Sequence, residues 1–164
     1  MKKLFAILVC GLMITVSGCG SNKSDNETTQ SSQNVESKSV KDIYATVSTM
    51  AEGKLTELDP QYLSNYYGID TTDLDEYVFA QSDPPESSAE TIIIIKSEDT
   101  SKFEDYKTSF ENYKKQKSQE LTNYNLPDQA KLVDKSKVVE KGNYLYLVIS
   151  ENANEIIDTI EKNI

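Results

Sequence analysis

The 164-residue chain contains no histidine and no tryptophan, and every one of its basic residues is lysine, because arginine is missing as well. Each gap removes chemistry. Without histidine there is no Ser-His-Asp triad and no imidazole proton shuttle. Without arginine there is no bidentate fork for a carboxylate or phosphate. The six glycines are scattered, so no glycine-rich phosphate loop can be drawn. Only two cysteines occur, Cys10 and Cys19. With so few thiols and no imidazole, the usual zinc, copper and haem ligand sets cannot be assembled, and no cofactor or metal is expected.

The positions of the two cysteines are informative. Met1-Lys2-Lys3 precedes an apolar run from Leu4 to Val16, followed by Ser17-Gly18-Cys19. A basic start, an apolar segment and a small-residue exit are the parts of a secretory signal. The run is shorter than the roughly 20 residues that a membrane-spanning helix requires, so a transmembrane helix is the weaker reading. The exit resembles a bacterial lipobox. That resemblance implies a diacylglycerol thioether on Cys19, cleavage between Gly18 and Cys19, and anchoring on the outer face of the cell membrane. Ser17 and Gly18 leave an enzyme room to approach, and a deprotonated thiol is a good nucleophile for alkylation. Cys10 would leave with the signal, so the mature chain would hold no disulfide and no thiolate site.

Three segments are expected: a signal peptide over 1–18, the lipidated cysteine with a polar tether over 19–39, and one domain over 40–164. Val35 is the only aliphatic residue between Gly20 and Ser39, too little to offset the entropy of ordering that segment. Removal of Lys2 and Lys3 with the signal leaves 15 lysines against 27 acidic residues, a net charge of −12. Such a surface repels nucleic acid and anionic lipid heads. Frequent Lys, Asn, Ile and Tyr fit an AT-rich genome, such as that of a Gram-positive bacterium.

Within the domain, Val40, Ile43, Tyr44, Val47 and Met50 recur at helical spacing, with Gly53 as the stop. Asp59-Pro60 opens a second helix that Gly68 ends, with Tyr62, Leu63, Tyr66 and Tyr67 turned inward. Strands are expected near Glu76–Gln81 and Glu90–Ser97. The run Ile92 to Ile95 is apolar on both faces, as in a central strand. A capping box at Ser101 and Glu104 would start a long helix carrying Phe103, Tyr106, Phe110, Tyr113, Leu121 and Tyr124. Lys114, Lys115 and Lys117 would lie on its solvated face, with docking of an acidic polymer as the alternative. Pro127 opens a short helix. Gly142-Asn143 joins strands Val138–Lys141 and Tyr144–Ile149 in a II′-type hairpin. Ser150 would cap a last helix. The expected fold class is α+β, a four-stranded, mainly antiparallel sheet packed by helices in the order α-α-β-β-α-α-β-β-α.

Taken together, the lipobox, the polar tether, "YYGID", "DLDEYV", "SSAETIIIIK", "LPDQAKLV" and "KGNYLYLVIS" resemble the bacterial lipoprotein family of domain of unknown function 4358. The resemblance implies a lipid-anchored surface module. It assigns no activity and no catalytic residue.

Three candidate sites follow from the residues. Asp70, Asp73, Asp75 and Glu76 offer oxygen ligands, but lack the glycine and spacing of a calcium loop, and turn capping is the favoured reading. Tyr66, Tyr67, Tyr77, Tyr144 and Tyr146 would make either an aromatic platform for a glycan or peptide or, as favoured, half-buried core. Lys96 with Ser97, or Lys137 with Ser136, would supply a Ser–Lys dyad, but neighbours on a strand point to opposite faces. The leading expectation is a non-enzymatic lipoprotein that binds an envelope protein or glycan. The alternatives are a hydrolase using carboxylates such as Asp75 and Glu76, and a lipoprotein that self-associates through "TIIIIK" or the final strand.

Overall fold

The computed structural model describes residues 37–164. The signal, the lipobox and most of the tether lie outside the described residues. The chain runs α1 (Val40–Val47), β1 (Leu55–Glu57), α2 (Pro60–Tyr67), β2 (Glu76–Ser82), β3 (Thr91–Lys96), α3 (Phe103–Asn123), α4 (Pro127–Lys135), β4 (Val138–Lys141), β5 (Tyr144–Ile149) and α5 (Ala153–Glu161). The five strands form one antiparallel sheet in the order β1-β2-β3-β5-β4. The class is α+β, but the expected four-stranded sheet is wrong. The missing strand is β1, which pairs Leu55, Thr56 and Glu57 with Ser82, Gln81 and Ala80. Three residues are too few to show a two-residue alternation, so partner-strand pairing, not local pattern, defines β1.

Both faces of the sheet are covered. Ile93 and Ile95 join Phe79, Leu145 and Leu147 in a core under α2, α3 and α4. Ile92 and Ile94 point the other way, with Val78, Tyr146 and Val148, and are sealed by α1 and α5. The register sets Ile93 between Phe79 and Leu147, and Ile94 between Val78 and Tyr146. All four isoleucines are essentially inaccessible to water. Each contributes on the order of 1.5–3 kcal/mol by burial, which accounts for a strand without a polar face.

The helix ends follow local chemistry in most places. Ser39 accepts a hydrogen bond from the Asp42 amide at 3.1 Å and caps α1, which stops at Val47 and continues as one 3-10 turn. Asp59 accepts from the Gln61 amide at 2.8 Å, Pro60 opens α2, and Gly68 closes it at φ +65°, a left-handed conformation that glycine adopts without strain. The capping box expected at Ser101 and Glu104 does not form. A 3-10 turn over Thr100–Lys102 intervenes, Asp99 accepts from the Ser101 amide at 3.0 Å, and Glu104 pairs with Lys107 at 2.6 Å. Ser150 likewise accepts from the Asn152 amide, at 3.1 Å, in the turn before α5 rather than capping the helix. At the hairpin only Gly142 takes a positive φ, +61°, as a II′ turn requires.

Polar groups at one end of the sheet are buried with it. The Tyr113 hydroxyl lies 2.9 Å from Thr91 Oγ1 and donates to Gln81 Oε1 at 3.1 Å. Lys117, expected in solvent, is buried on the inner stripe of α3; its Nζ donates to the Pro85 carbonyl, and burial lowers its pKa. Glu90 is only 3 % exposed and its Oε2 has no partner. Burial raises its pKa. The Ser150 hydroxyl and backbone groups of Glu52 and Glu151 work against that rise, and the Glu52 carboxylate adds to it.

The direction of this shift fixes a pH dependence. A raised folded pKa means that Glu90 takes up a proton more readily in the folded chain. Its stabilising contribution is complete below the unfolded carboxyl value and is lost as pH rises through the folded one. Urea unfolding of wild type and Glu90→Gln should therefore diverge as pH rises from about 4 to about 8, in favour of the variant. The expected change in the gap is on the order of 1 kcal/mol, the scale of one buried polar atom without a partner. A gap independent of pH would contradict this account of Glu90.

Candidate functional site

The acidic run is distributed among structural tasks. Asp70 accepts from the Thr72 amide at 3.0 Å and its hydroxyl at 2.7 Å, and these bonds hold its pKa below the ordinary carboxyl value. Asp73 pairs with Lys102 at the entry to α3. Asp75 accepts from the Glu98 amide at 2.6 Å. Glu76 spends both oxygens, one on the Val40 amide at 2.6 Å and one on Lys96 at 3.1 Å, tying α1 to the sheet. Asp75 and Glu76 do come together with Glu57, around a cavity of about 370 Å3 beside β1. Asp70 and Asp73 lie elsewhere, toward Lys102. Among the described residues, no three acidic side chains converge as a metal site.

Neither serine–lysine pair forms a dyad. Ser97 donates to the carbonyls of Asp73 and Asp99, and Ser136 to that of Val133. The hydrogen bond to Glu76 raises the pKa of Lys96, the opposite of what a lysine base needs.

The tyrosines divide. Tyr144 and Tyr146 are core, and Tyr77 is half-buried against it. Tyr67 lies parallel to Phe79 at 5.6 Å and edge-on to Tyr113 at 5.1 Å. Burial, followed by the neighbouring Tyr62 hydroxyl, raises its pKa. Tyr66, expected to face inward, is 65 % exposed, and Tyr62 is 40 % exposed. Leu63 and Tyr67 form the inward stripe of α2. Tyr62 and Tyr66 are also four residues apart and form a second stripe, turned outward. Their rings stack, with centroids 4.4 Å apart and planes 28° from parallel.

Tyr66 and Tyr67 border a cavity of about 470 Å3 between α2 and α3. Its other wall is Ser109, Asn112, Gln116 and Gln119, with Lys115. The first four are spaced three, four and three apart, one stripe beside the buried stripe of Phe110, Tyr113 and Lys117. Sequence reading missed this wall. Its signal in the sequence is three amides and a hydroxyl at helical spacing, beside the apolar stripe. The wall can stack a planar or ring-shaped group on Tyr66 and exchange hydrogen bonds with it, and it holds no carboxylate.

The fold and this site describe a small α+β domain, sheet-centred and covered on both sides, with an aromatic and amide groove on one helical layer. The model of the family described as a domain of unknown function, DUF4358, matches residues 47–150, and the chain belongs to that family. No curated protein and no solved structure matches the chain.

The two stripes of α2 predict different mutational costs. Tyr66→Ala should leave stability within about 0.5 kcal/mol of wild type, as for an exposed position. Tyr67→Ala should cost about 3 kcal/mol, because it opens the aromatic cluster with Phe79 and Tyr113. Chemical denaturation of the two variants measures both, and equal losses would refute the division.

Proposed function

We propose that the chain is a lipid-anchored lipoprotein, processed between Gly18 and Cys19 and held on the outer face of the cell membrane, whose domain is a non-enzymatic binding module for an envelope partner. The location rests on the sequence from Met1 to Gly20. The binding role rests on one observation: a stacked, solvent-facing Tyr62–Tyr66 pair beside a groove of amides and a hydroxyl. Among the described residues, no helix is long and apolar enough to cross a membrane, so an anchor outside them would have to supply attachment.

The hydrolase alternative would use the cavity beside β1. Both oxygens of Glu76 and one of Asp75 are committed to amides and Lys96, which weighs against free acid and base roles there. Self-association through "TIIIIK" or the final strand requires an open edge. Both β3 and β5 are flanked on each side, and the sheet ends at β1 and β4.

Growth with a palmitate analogue tests the anchor. The wild-type chain should carry the label, and its first residue should be a lipid-modified Cys19. Cys19→Ala should lose the label and retain residues 1–18, as read by mass spectrometry of the N-terminal peptide. Label persisting in the variant would rule the anchor out.

A further inference from the structure

We infer that the groove between α2 and α3 binds an uncharged oligosaccharide, with one sugar ring stacked on Tyr66 and its hydroxyl or acetamido groups bonded to Asn112, Gln116 and Gln119. The inference rests on the binding-module reading above and names its ligand class. A tyrosine face is electron-rich and attracts the C–H bonds of a pyranose ring, which carry slight positive charge. Tyr66 is braced for this on one side by Tyr62, at 4.4 Å between ring centroids, and is open on the other. A carboxamide offers a donor and an acceptor together, matching a sugar hydroxyl or an acetamido group.

The charge of the lining argues against a cationic ligand, and the net charge of −10 on the chain repels an acidic polymer. The chain carries 27 acidic residues, yet none lines this groove, where Lys115 is the single charge. Glu120, the one acid that acts on the Tyr67 hydroxyl, lies outside the lining. A peptide is the poorer fit. An added strand would need a sheet edge, and the residues around this groove come from helices alone. A helical peptide would need an apolar trough, and this wall is made of amides and a hydroxyl. The volume of about 470 Å3 falls in the range of small-ligand sites.

Calorimetric titration of the full chain in a zwitterionic detergent, with tetra-N-acetylchitotetraose and separately with maltotetraose, tests the inference. Saturable binding of at least one is expected. Tyr66→Ala and Gln116→Glu should each weaken it about tenfold or more, the scale of a lost aromatic stack or a misplaced charge. Tyr124→Ala should bind like wild type, because Tyr124 is also more than half exposed but lies off the groove. No saturable heat from either sugar at millimolar concentration would overturn the inference, as would a Tyr66→Ala chain that binds normally. If sugars fail while an envelope protein is retained in a Tyr66-dependent manner, the glycan is overturned and the binding module stands.

Discussion

Burial of Ile92 to Ile95 on both faces of one strand constrains everything else in the domain. An antiparallel sheet often leaves one face to water, and its strands then alternate apolar with polar. Here β3 has no polar face, so each side must be roofed by helices. The chain meets this with α2, α3 and α4 on one side and with α1 and α5 on the other. Helices from both ends of the domain therefore meet on one face. The backbone amide of Lys38, just before α1, donates to the Asn163 carbonyl at 3.0 Å, and Glu76 ties the start of α1 to β3 through Lys96. The first and last helices of the domain thus close one side of its core.

That demand accounts for the acidic run between α2 and β2. Asp70, Asp73, Asp75 and Glu76 sit where the chain leaves a helix on one layer and enters the sheet. Helix starts and strand ends expose backbone amides with no ladder partner, and carboxylates at this crossing are well placed to accept from them. Three of the four accept from backbone amides, at Thr72, Glu98 and Val40. Their clustering in sequence resembles a ligand set because turn capping and cation binding draw on the same oxygen chemistry. The geometry separates the two, since capping spreads the carboxylates outward along the chain whereas a metal would gather them inward.

How much could be read from the sequence varied with how local the cause was. The β4–β5 hairpin, the Asp59-Pro60 start of α2 and its Gly68 stop are decided by neighbouring residues, and they were legible. The central position of β3 was legible because four consecutive isoleucines have no solvent-facing solution. β1 was not, because its three residues are strand only by pairing with Ala80, Gln81 and Ser82. The start of α3 differs because Asp99 caps two residues earlier, taking the Ser101 amide, and the Thr100 carbonyl takes the Phe103 amide that a Ser101 cap would have used. Lys117 departs from expectation because a lysine takes a core position only when a carbonyl, here that of Pro85, is brought within reach by a loop 32 residues away in sequence. The groove wall failed for another reason: amides at helical spacing carry no burial signal, and their meaning depends on which helix lies opposite.

The exposure of Tyr62 and Tyr66 follows from the shape of α2. Eight residues make little more than two turns, and a short helix lying on the outside of the domain buries only one stripe. Leu63 and Tyr67 occupy it. Apolar residues at the two adjoining positions must then face water or a ligand. A single exposed tyrosine needs no explanation. Two that stack on each other are different, because the pair already shields one face of each ring and so fixes the orientation of the faces left open. Fixing a ring before a ligand arrives removes ordering entropy that binding would otherwise have to overcome. Among the described residues the exposed large hydrophobics are all tyrosine, side chains whose hydroxyl tolerates water while the ring stays available. Tyr66 is thus placed on the outer stripe of a short helix, where changing its side chain leaves the doubly covered sheet untouched.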